Sequence, residues 1–135
     1  MNAMSKTSRL LAPLFLSTAL LAGTAAADDK PKITEVFKAP LANVEGTEAI
    51  VSHVDYPPGF DSPRHYHTGS VIVYVLEGVG SMEVDGVSRT GSAGEVIQEH
   101  AEKIMVMSNE SDSDWLRFVV FQVGPEGEPM IVLTD

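Results

Sequence analysis

The sequence contains no cysteine, so no disulfide framework, thiolate metal site or lipid-modified cysteine is available to it. Cations are scarce: nine Lys and Arg stand against nineteen Asp and Glu, a formal net charge of −10. Such a chain repels phosphate backbones and anionic lipid, which argues against nucleic-acid and membrane-surface roles. Nowhere does an apolar period of 3.6 residues persist for more than a few positions, so no amphipathic helix is expected. There is also no internal repeat, no low-complexity block, no glycine-rich phosphate cradle after a strand and no serine in an elbow context.

The longest apolar run is residues 10–22. It is too short to cross a bilayer, which takes about 20 apolar residues, and Pro13, Ser17 and Thr18 interrupt it. Lys6 and Arg9 precede it, and Ala25 and Ala27 follow in an A-x-A arrangement. This is the pattern of a secretory signal peptide, 1–27, cleaved after Ala27. The expectation is therefore a periplasmic or secreted, soluble protein of residues 28–135, with no membrane association after cleavage. Losing Lys6 and Arg9 takes its net charge from −10 to −12. A chain of that length holds one compact domain.

What fills residues 28–135 is a series of short apolar runs cut by turn formers. Candidate strands are 33–37, 49–56, 71–76, 81–84, 95–98, 104–108, 115–123 and 130–134. Between them lie segments such as "PPG", "DSPR", "EGVG", "DG", "TGSAG" and "GPEGEP". Short strands at fairly even spacing with Gly and Pro turns predict an all-β sandwich or closed barrel.

Two motifs sharpen this expectation. Gly59 is followed by "FDSPR", then His65, Tyr66 and His67, then "TGS", Val71, six further residues and Gly78. Gly94 is followed by "EVIQE", "HAE", Lys103, Ile104, Met105, "VMS" and Asn109. In this spacing the chain resembles a small single-domain cupin, and the resemblance spans most of residues 28–135. It implies an all-β jelly-roll barrel, the double-stranded β-helix. It also implies a metal site of two adjacent histidines, a glutamate and a third histidine. Here His65 and His67 match, but Val71 stands at the glutamate position and Met105 at the third histidine. His100, Ala101 and Glu102 replace the family's P-x-G turn.

Taken by themselves, His65 and His67 are i and i+2 on a strand, on one face and about 6.6 Å apart along it, a separation at which two imidazoles can share one ion. Two ring-packed or solvent-facing histidines are the plainer reading of an i, i+2 pair. Glu77 shares the parity of Val71 but lies about 20 Å along the strand and cannot replace its missing carboxylate. Glu99 and Glu102 sit in the loop before Met105 and could approach the barrel mouth. Met105 shares parity with Met107 and Asn109. It reads as core filler or as a soft ligand that, with two imidazoles, suits copper. His100 and His53 are possible additional ligands, and Tyr66 faces away from the histidines.

These residues support three function classes. The first is an exported cupin binding a transition metal, copper favoured and zinc, iron, manganese and nickel open, through His65, His67 and Met105 or His100. The second is a metal-dependent oxidoreductase or dioxygenase acting on a small organic substrate. The third is a metal-free cupin that binds a small ligand or serves as an interaction module. No organic cofactor and no nucleic-acid partner is expected. The resemblance also implies a homodimer, since small cupins often pair through sheet edges.

Overall fold

The computed structural model describes residues 29–135, the side chain of Glu99 excepted. The expected signal peptide, 1–27, lies outside the described residues. The described elements are strands only, ten in chain order: β1 (Lys32–Pro40), β2 (Thr47–Tyr56), β3 (His65–Tyr66), β4 (Ser70–Glu77), β5 (Val79–Val84), β6 (Val87–Ser92), β7 (Val96–Glu99), β8 (Met105–Ser108), β9 (Leu116–Pro125) and β10 (Val132–Leu133). They form two five-stranded sheets, one in the order β1-β2-β9-β4-β7 and the other β10-β3-β8-β5-β6. All pairings are antiparallel.

The period-2 pattern of the sequence is what divides inside from outside. On β4, Val71, Val73 and Val75 are buried, whereas Ile72, Tyr74 and Leu76 between them are exposed. On β9 the buried set is Leu116, Phe118, Val120 and Gln122, and on β8 it is Met105 and Met107. Alternate side chains of a strand leave opposite faces, so each run gives the interior every second residue. The apolar residues among these, with Val54, Tyr56, Met82 and Ile97, make one continuous core between the sheets. Each such side chain contributes about 1.5–3 kcal/mol on full burial.

Two strands depart from expectation: β6 was not foreseen, and β3 ends at Tyr66, before His67. β6 carries "VSRTGS", exposed at five of its six positions, so its sequence has no apolar alternation to read. It forms because Asp85 and Gly86 sit at φ 51° and 76° and turn the chain back onto β5. An Asp-Gly pair is favoured in such a two-residue hairpin turn, which demands positive φ at both positions. β3 is only His65–Tyr66, held between β8 and β10.

Gly69 matters because it joins His67 to β4. An added Cβ there would collide with the carbonyl of Val123 and lie 2.6 Å from the Gly124 Cα. The close approach of these two chain segments is possible only without a side chain.

Candidate functional site

His65 and His67 are both buried, 5% and 4% exposed. His65 enters the interior from β3, where its ladder partner on β8 is Met105. His67 follows on the same parity in the turn before β4. Their rings meet edge to face, with centroids 5.1 Å apart and planes at 82°. They line a cavity of about 20 Å³ with Val73, Met107, Val120 and Met130. That is room for a single water or ion.

The hydrogen bonds fix the tautomer of each ring. Nδ1 of His65 is 2.8 Å from the Pro63 carbonyl oxygen and 3.5 Å from Ser62 Oγ. Nδ1 of His67 is 2.8 Å from the Met130 carbonyl oxygen and 3.1 Å from Gln122 Oε1. A carbonyl can only accept, so both Nδ1 atoms carry hydrogen, and a ring in its neutral form then has its lone pair on Nε2. Gln122 is itself oriented by a bond from Nε2 to Thr68 Oγ1. Metal-binding histidines are held in this way, with the second ring nitrogen tied to an acceptor.

The donor set favours some ions over others. His65 and His67, with ring centroids 5.1 Å apart, are the two side chains that would hold such an ion, each through Nε2. The neighbours are soft: Met105 is 1% exposed opposite His65, and Met107 lines the cavity itself. The Met130 sulfur accepts a hydrogen bond from Ser52 Oγ at 3.6 Å. Val71, at the position where the family carries glutamate, is wholly buried. Among the described residues, no three His, Cys, Asp or Glu side chains gather into a metal-binding group. Two imidazoles flanked by thioethers fit a soft or borderline ion, and they do not fit a magnesium- or calcium-type site.

The other expected residues lie elsewhere. His53 is on the outer face of β2, 3.7 Å from Asp55. Asp55 also meets Arg117 at 3.2 Å, and Arg117 pairs with Glu77. These carboxylates, Glu77 foremost, hold the Arg117 guanidinium above its ordinary pKa. His100 is exposed and lines a separate surface pocket with Arg89 and Lys103. Glu102 is exposed, and its amide donates to the His67 carbonyl at 2.9 Å. The backbone of Glu99 pairs with that of Val71, extending β7 one residue beyond its expected end. Asn109 faces inward as expected, but its amide bonds the carbonyls of Tyr56, Pro57 and Asp114 and so ties loops together.

Gln122 and Met130 were not singled out from the sequence. Gln122 had a signal, being the one polar residue at the inward parity of β9. Met130 acts partly through its backbone carbonyl, which no side-chain pattern reveals.

The structure is similar to several solved proteins. A Cupin 2 conserved barrel domain protein from Salinispora arenicola is 19% identical, with a TM-score of 0.56, covering 89% of this chain and 92% of that one. A conserved protein with a double-stranded β-helix domain from Klebsiella pneumoniae is 18% identical, with a TM-score of 0.59, covering 81% and 88%. The DMSP lyase DddQ from Ruegeria pomeroyi is 21% identical, with a TM-score of 0.56, covering 64% of this chain and 43% of its own. At these identities the likeness establishes the fold alone, and one fold hosts many activities. No curated protein matches in sequence. The family model for the cupin domain, Cupin_2, matches residues 52–121, a span that holds both motifs and both buried histidines, and the chain belongs to that family.

Proposed function

We propose that the protein is an exported single-domain cupin that holds one transition-metal ion on His65 and His67. The observation that carries this reading is the pair of Nδ1–H bonds to the carbonyl oxygens of Pro63 and Met130. They leave both buried rings in the tautomer that can ligate through Nε2. Copper ranks ahead of zinc, iron, manganese and nickel because the flanking side chains Met105 and Met107 are thioethers, which prefer Cu(I). Such an ion would be held by the two imidazoles with Met107 or Met105, and it would supply a redox-active, polarising centre. Export rests on the sequence of residues 1–27.

The test is elemental analysis of protein purified without a metal-affinity tag, followed by Cu(I) and zinc titrations against a competing chelator. Stoichiometric metal that disappears in His65→Ala/His67→Ala supports the reading; equal weak binding by both proteins refutes it. A second reading, a metal-dependent oxidoreductase acting on a small organic substrate, is favoured by an apolar cleft of about 470 Å³ that reaches His65. It requires turnover that tracks metal loading.

A further inference from the structure

The cleft beside His65 has a chemistry of its own. It lies between β1 and β10, the edge strands at which the two sheets stand open toward each other. Ile33 lines it on one side and Ile131 and Leu133 on the other. Tyr56, Phe60 and Pro63 add further apolar surface. Tyr56 is braced edge-on against Phe60 and Phe118, with centroids 4.6 and 5.1 Å away, so this aromatic wall is rigid. His65, which also lines the histidine cavity, is a buried polar ring in the cleft, as is Tyr56.

Its volume of about 470 Å³ falls in the range of small-molecule sites, roughly 300–1,000 Å³, which are mostly apolar with a few placed polar groups. The histidine cavity, at about 20 Å³, cannot admit an organic molecule in this conformation. Charge narrows the class of ligand. Asp61 is the carboxylate along the cleft, no Lys or Arg among the described residues lines it, and the whole chain is strongly acidic. An anion would enter against that field with no lysine or arginine among the described lining residues to receive it.

We infer that this cleft binds a small, uncharged, largely apolar molecule of up to three rings, packed beside His65. The site goes beyond metal binding, because it needs no ion to form.

The test is a fluorescence titration of the purified, metal-free protein with two probes. N-phenyl-1-naphthylamine is uncharged, and 1-anilinonaphthalene-8-sulfonate carries a sulfonate on a similar two-part aromatic body. The naphthylamine should bind saturably at one site, and the sulfonate at least tenfold more weakly. Leu133→Glu and Ile33→Glu alter opposite walls at exposed positions (66% and 50%), where the fold should tolerate a charge. Each should weaken naphthylamine binding at least tenfold with an unchanged circular-dichroism spectrum. His53→Ala, on the outer face of β2, should leave probe binding within threefold. Because the titration uses metal-free protein, a failure of the metal reading and a failure of the cleft are told apart. The inference is overturned if both wall variants bind like wild type, or if the sulfonate binds as well as the naphthylamine. Probe affinity that falls as protein concentration rises also overturns it, because the cleft then belongs to a second copy of the chain.

Discussion

The four histidines divide into two pairs that the same chain treats in opposite ways. His65 and His67 are buried, edge to face, and each is tethered at Nδ1 to a main-chain carbonyl. His53 and His100 stand on the surface, one beside Asp55 and the other in a pocket with Arg89 and Lys103. Being on a strand does not separate the pairs, since His53 lies in the middle of β2. What separates them is parity and anchoring. β2 gives Ile50, Val54 and Tyr56 to the core and therefore turns His53 outward.

The largest expected effect tests that division directly. His65→Ala or His67→Ala should lower copper affinity at least about a hundredfold, roughly the loss expected on removing one of few ligands. His53→Ala and His100→Ala should stay within about threefold, as read by chelator competition. Equal losses from all four variants would erase the distinction.

The next effect is on stability. His67→Ala leaves the Met130 carbonyl without its Nδ1–H donor, and a buried unsatisfied group costs about 1–3 kcal/mol. Urea unfolding of metal-free protein should show this loss. His53→Ala in the same assay should change stability by about 0.5 kcal/mol or less, the usual scale for a surface site.

Gly69→Ala should destabilise by a similar amount, about 1–3 kcal/mol, through forced separation of the Gly69 and Val123–Gly124 segments. It should also weaken metal binding, because the same turn carries His67. Metal affinity unchanged in that variant would show that the turn does not position the ring.

The smallest effect sharpens the choice of metal. Met107→Leu conserves volume and should cost less than about 1.5 kcal/mol. It should nevertheless lower Cu(I) affinity and leave zinc affinity unchanged, because only the softer ion gains from a thioether. Met105→Leu in parallel identifies which sulfur takes part.

Much of this fold was legible in the sequence because alternation and turn chemistry agreed over most strands. β4 is the clearest case, with three valines inward and Ile72, Tyr74 and Leu76 outward. β6 was not legible, since an exposed edge strand needs no apolar face; its only signal was the Asp-Gly turn before it. Candidate-site residues were legible where the family motif marks them, as at His65 and His67. Met105 and Met107 share parity, so the sequence could not tell which one reaches the cavity. That depends on how far β8 slides past β3, a register set by the single pairing of Met105 with His65.

The two Nδ1 tethers end on main-chain oxygens. Every amino acid carries that oxygen, so substitutions at positions 63 and 130 can change side chains freely without deleting either acceptor. The orientation of the imidazoles is thus written in the path of the chain rather than in the identity of its neighbours. A lineage could exchange Val71, Met105 or the cleft walls, altering what the protein holds, while inheriting two histidines already set at the same angle.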